Sequence, residues 1–134
     1  MEFVTWSDND AVDIENIDNQ HRRMIRIINH LHSLLDTKDS SEVKISFDEL
    51  YKHLKEHFHT EETYMLENKF PGYISHKLEH DRYYTKIMNY KEAIDSEETN
   101  INLEILNSLK KWFYNHLEIN DRKLGQFLAE KGVK

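Results

Sequence analysis

The chain reads as four long stretches in which apolar residues return at alternating steps of three and four. The first seam is Ile17, His21, Met24, Ile28, Leu31 and Leu35. The second is Val43, Phe47, Leu50, Leu54, His57 and Glu61. The third is His76, His80, Tyr83, Ile87, Tyr90 and Ile94, and the fourth is Ile105, Leu109, Trp112, His116 and Ile119. Such spacing marks the buried stripe of a helix packed in a bundle. It predicts helices over roughly 18–36, 41–66, 73–95 and 101–121. The breaks "DTKDSS", "NKFPG" and "DSEETN" carry turn and capping residues. Short connections between four helices favour an all-α, up-down-up-down four-helix bundle. Residues 1–17 form an arm whose Phe3, Val4, Trp6, Val12 and Ile14 are expected to lie across the bundle. Leu124, Phe127 and Leu128 suggest a short C-terminal extension. The whole of 1–134 reads as one domain.

Polar residues interrupt the seams. His21, His57, Glu61, His76, His80 and His116 all occupy core phases. Each buried polar group left unpaired costs on the order of 1–3 kcal/mol. Several together would consume the stability of a small domain, roughly 5–15 kcal/mol. In an up-down-up-down bundle, the start of helix one, the end of two, the start of three and the end of four share one end. All six residues fall there, while the other half of each seam is apolar.

Residues four apart point within about 40° of each other on a helix, so His57/Glu61 and His76/His80 can each address one locus. Five imidazoles exceed the four ligands that one structural zinc prefers. With a carboxylate among them they suit two first-row metals, and iron well. Asp121 offers a second carboxylate, but it follows His116 by five residues, about 140° round an ideal helix. It is expected to turn inward only near a helix end.

Composition narrows the chemistry. There are no cysteines, which removes disulfides, thiolate zinc, iron–sulfur clusters and thiolate haem. A net charge of −7 and a pI near 5.7 argue against a nucleic-acid partner. No signal peptide or membrane span is legible, so a cytoplasmic location and no membrane partner are expected.

Four segments, "IDNQH" at 17–21, "HFHTEETYM" at 57–65, "FPGYISHKLEH" at 70–80 and "WFYNHLEIND" at 112–121, together resemble the hemerythrin family in its single-domain bacterial form. The likeness spans about residues 4–124. It implies a non-haem di-iron cofactor: His76, His80 and His116 on one iron, His21 and His57 on the other, with Glu61, Asp121 and an oxo or hydroxo group as bridges. The second iron then has an open position for O2, or for small anions such as azide in the oxidised state. By motif, Met24, Phe58, Trp112, Phe113 and Ile119 line the O2 pocket, with Phe113 where many relatives carry Leu. The implied function is reversible O2 binding for storage, delivery or sensing, without catalysis, with a protein partner that uses or reads the bound O2.

Two other classes compete. A di-iron redox enzyme acting on peroxide or nitric oxide is the alternative. Ferritin-like oxidases supply four Glu and two His with two Glu-x-x-His motifs, whereas here only Glu56 and His59 make one, off the seam. A metal-free interaction bundle leaves the aligned histidines unexplained. His30, His32, His53 and His59 read as surface or flank residues, with His53 open to a supporting role behind the ligands. Glu62 reads as solvated or as such a supporting residue.

Overall fold

The computed structural model describes residues 2–37 and 39–133; Met1 and Lys38, within the predicted arm and first loop, and Lys134 lie outside them. Among the described residues every regular element is helical. A short 3₁₀ turn at Asp8–Asp10 precedes α1 (Glu15–Ser33), α2 (Ser40–Glu67), α3 (Tyr73–Asp95) and α4 (Leu103–Asn115). A π-helical segment, His116–Asp121, then leads directly into α5 (Arg122–Glu130). Helix α1 packs on α2 and α4, and α2 on α3. The result is the all-α four-helix bundle that the seams predict.

Local chemistry sets the helix starts. Asp39 accepts the Glu42 amide at 3.0 Å, and Asn102 accepts the Ile105 amide at 2.9 Å, each satisfying a donor the helix leaves free. Helix α1 starts without a side-chain cap at Ile14. Instead the buried Asp18 accepts the amides of Val12 at 2.9 Å and Asp13 at 3.2 Å, which fixes how the arm enters the helix.

The arm crosses α1 and α4. Val4 is buried and exchanges two hydrogen bonds with the Asn29 amide, at 2.8 and 2.9 Å. The Thr5 amide donates to the Tyr114 hydroxyl, and Arg22 sits over the Trp6 ring.

Two apolar clusters form the interior. The larger fills the bundle from Ile25, Phe47 and Leu50 to Ile87, Leu106 and Phe113. The smaller joins Ile14, Ile17, Met65, Leu124 and Leu128, with Phe70, Tyr73 and Phe127 against it. His21, Glu61, His76, His80 and Asp121 fall along the chain between residues of the two clusters, and His57 and His116 stand at the edge of the larger one, whereas the buried Ser46 and His53 lie within its span. The C-terminal residues are therefore no separate appendage. Through the π segment they continue the fourth helix to Glu130, and α5 closes the polar end of the bundle.

Candidate metal centre

Seven polar side chains meet in this sealed layer. His21 comes from α1, His57 and Glu61 from α2, His76 and His80 from α3, and His116 and Asp121 from the two ends of the π segment. None is more than 3% exposed. Both carboxylates sit among the imidazoles. Glu61 Oε1 lies 2.9 Å from His80 Nε2, 3.1 Å from His116, 3.4 Å from His76 and 3.5 Å from His57. Asp121 Oδ2 lies 2.6 Å from His21 Nε2 and 3.0 Å from His116, while its Oδ1 is 3.3 Å from His76.

Asp121 is brought inward by a different device from the expected helix end. The helix runs on past it, but between His116 and Asp121 it widens to π geometry, with one residue more per turn. Residues five apart then share a face, and the pair converges. Such single-turn widenings cost hydrogen-bond quality and concentrate at functional sites.

The donor atoms fall into two overlapping groups. His21, His57, Glu61, His116 and Asp121 offer atoms within 4.8 Å of one another, as do Glu61, His76, His80 and His116. The His116 ring belongs slightly more to the second group, with centroids 5.2 Å from His80 and 5.5 Å from His76, against 6.2 Å from His21.

Electrostatics inside the layer are severe. Burial works to raise both acids, but the surrounding imidazoles outweigh it: His57 and His116 hold Glu61 below the usual carboxylate range, and His116 holds Asp121 well below it. Burial likewise works to lower the imidazoles. For His76 the carboxylates of Asp121 and Glu61, 3.3 and 3.4 Å away, outweigh it and lift the group to about 9. For His116 the attraction of Asp121 and Glu61 lifts it to about 10. At His57 burial wins over Glu61 and Asp121, and the group falls to about 4. Among the protein groups alone, then, two buried carboxylates hold protons on two imidazoles.

Rings wall the layer. Phe58 stacks on His80 at 4.1 Å, Trp112 stacks on His116 at 4.7 Å, and Tyr83 stacks on the other side of Trp112 at 3.7 Å. Phe113, fully buried, meets His21 edge-on at 5.9 Å. Met24 is buried in the adjoining core. Ile119, expected in the same lining, lies instead on the surface at 53% exposure, because the widened turn aims His116 and Asp121 inward and leaves the middle of the segment outside.

Residues 12–128 match the family model described as the hemerythrin HHE cation binding domain. The chain belongs to the hemerythrin family. It is similar to a bacteriohemerythrin of Stenotrophomonas maltophilia, 30% identical over 91% of this chain and 79% of that one. It is also similar to a bacteriohemerythrin of Aquifex aeolicus, 34% identical over 85% of this chain and 88% of that one. A solved hemerythrin carrying a leucine-to-alanine substitution superposes with a TM-score of 0.92, at 25% identity, over 96% of this chain and 99% of that one.

The hemerythrin layer fits a pair of cations on its own chemistry. Buried and without a hydrogen-bond partner are Nε2 of His21, His57 and His76, Oε2 of Glu61 and both carboxylate oxygens of Asp121. Such orphaned polar atoms in a dry interior are expensive. Metal ions would satisfy them and displace the protons held on His76 and His116.

Around this hemerythrin layer stand residues that seam phase undervalues. His53, read as surface or flank, is buried, and its Nε2 bonds the Gln20 carbonyl at 2.7 Å. Gln20 Oε1 lies 2.8 Å from His57 Nδ1, and Glu62 Oε2 lies 2.9 Å from His80 Nδ1. The available signal was adjacency, since Gln20 precedes His21 and Glu62 follows Glu61. The remaining control histidines stay outside: His59 is exposed, His30 pairs with Glu42 at the surface and His32 stacks on Phe3.

Proposed function

We propose that this chain binds O2 reversibly at a di-iron centre and is not an enzyme. His76, His80 and His116 hold one iron, His21 and His57 hold the other, and Glu61 and Asp121 are shared between them. The observation that carries the reading is the reach of the two acids: Glu61 Oε1 lies 2.9 Å from His80 and 3.5 Å from His57, and Asp121 lies 3.3 Å from His76 and 2.6 Å from His21. Each carboxylate thus contacts both sets, as a bridging ligand must.

When bound there, two irons would supply two electrons to O2 and recover them on release. The protein's contribution is asymmetry and dryness. One set offers three imidazoles and the other two, so the His21/His57 side has room for O2. Phe113, its ring 5.9 Å from His21, flanks that side, and Phe58 stands between the sets, 4.1 Å from His80 and 5.9 Å from His57; together they exclude the water that would deliver protons and carry off reduced oxygen. Small anions such as azide would compete for the same position in the oxidised state.

Among the described residues no helix is long and apolar enough to cross a membrane. A cytoplasmic protein that stores O2, delivers it or signals its presence to a protein partner fits the site. The whole chain acts as one domain in this reading, with α5 as part of its seal.

The test is anaerobic reduction, then repeated addition and removal of O2, with iron counted per chain. The expected result is two irons and an optical change that reverses over many cycles. Irreversible oxidation with release of peroxide would overturn the reading in favour of a di-iron redox enzyme.

A further inference from the structure

The imidazoles of the two sets are backed by different chemistry. His80 and His57 both turn Nε2 toward the shared acids, where a metal would bind; with Nε2 so occupied, Nδ1 carries the hydrogen and donates outward. His80 Nδ1 donates to a carboxylate, Glu62 Oε2, at 2.9 Å. His57 Nδ1 donates to a neutral amide, Gln20 Oε1, at 2.8 Å.

Both partners are fixed. Gln20 Nε2 donates to Thr60 Oγ1 at 3.0 Å, and that hydroxyl donates to the Glu56 carbonyl, so the amide cannot turn its nitrogen toward His57. Glu62 stands at the edge of the layer, its side chain 21% exposed and 3.6 Å from Lys77 Nζ. It lines an open groove of about 590 Å³ between α2 and α3, beside Lys55, His59, Asp81 and Tyr84.

We infer that Glu62 is a positioning residue that orients His80 and makes it a stronger electron donor than His57, biasing the three-imidazole side toward the oxidised state. The inference rests on the di-iron reading. A carboxylate that accepts the Nδ1 hydrogen draws it away from the ring and leaves more electron density on Nε2. A richer donor favours the more highly charged metal. An amide accepts the same hydrogen more weakly, so His57 stays the poorer donor. Lys77 moderates the effect, because its charge pulls on Glu62 while it also holds Asp81 at 3.1 Å.

Three variants of the full chain test this: E62Q, E62D and K77M. For each, iron is counted, the midpoint potential of the iron pair is titrated anaerobically, and air oxidation is timed. The zinc-loaded proteins, which have no redox chemistry, report the His80 Nδ1 proton by NMR. E62Q is expected to keep two irons, to be reduced more easily and to oxidise in air roughly tenfold more slowly, within the range in which partners of metal-bound histidines act. Its Nδ1 proton should move upfield. E62D should recover part of each change, and K77M should shift potential and proton the opposite way. An E62Q protein with two irons and an unchanged potential overturns the inference and leaves the di-iron reading standing. If E62Q loses iron, K77M decides, and an unchanged potential there overturns it. A parent chain that fails to take up two irons removes the underlying reading instead.

Discussion

His116 and Asp121 stand five residues apart in one continuous helix, yet Nε2 of the first lies 3.0 Å from Oδ2 of the second. The widened turn between them makes Asp121 a partner of three helices at once, since it also reaches His21 and His76. Replacing Asp121 by Ala removes the carboxylate shared by both sets. Iron is expected to fall from two per chain to one or none, whereas His30→Ala, on the surface, should keep both. Equal iron in the two variants, measured by metal analysis after gel filtration, would count against the ligand set.

The seams were legible because buried helix faces repeat with the helical period, and the site was legible because six polar residues broke that period at one end. Asp121 was only half legible. An ideal helix sends it sideways, and nothing in "HLEIND" announces a π turn except the need for both ends to face inward. Ile119 went astray for the same reason, since its inward phase assumes an unwidened helix. The partners behind the ligands were harder still. Glu62 and Gln20 lie off the seam, and their value depends on which ring nitrogen faces them. His53 shares an i, i+4 spacing with His57, but its burial follows from the Gln20 carbonyl on α1, a contact between helices that no single-helix pattern contains.

Stability against pH should differ between the iron-free and iron-loaded protein. His76 and His116 are raised to about 9 and about 10, so their contribution is full below about 6.5, their ordinary value, and is lost as pH rises through 9 to 10. His57 is lowered to about 4, so stability is also lost as pH falls from about 6.5 toward 4. Glu61 and Asp121, both depressed, add a further loss at still lower pH. The iron-free protein should therefore melt highest near pH 6.5. Each proton contributes on the order of 1.4 kcal/mol per pH unit to the decline on either side. Iron keeps the imidazoles deprotonated, so the alkaline decline should vanish on loading. Thermal midpoints by circular dichroism across pH 5 to 10, with and without iron, read this directly. Parallel declines above pH 8 would show that these imidazoles carry no such protons.

Gly125 marks where the arm touches the seal. A Cβ there would meet Val12 Cβ at 2.8 Å and the Val12 carbonyl at 3.0 Å, neither of them the yielding tip of a side chain. Gly125→Ala should push the arm off α5 at a cost of about 1–3 kcal/mol, the usual range for overpacking. Because α5 closes the polar layer, iron release to a chelator should quicken as well. Urea unfolding and the chelation rate test the two effects separately, and an unchanged unfolding midpoint would mean that the arm gives way freely.

Phe113 is the residue through which the pocket can be resized. It is fully buried, and its ring meets His21 edge-on at 5.9 Å, on the side assigned to O2. Phe113→Leu removes volume next to that position, and Phe113→Ala removes more. Azide should bind the oxidised protein faster in both, in the order Ala, Leu, parent. Air oxidation should accelerate in the same order as water gains access. The alanine variant also leaves a cavity and should lose about 3–5 kcal/mol of stability, so the leucine variant gives the cleaner comparison. Stopped-flow azide binding at fixed pH decides between a wall and a bystander. If the leucine variant binds azide at the parent rate, Phe113 does not limit access.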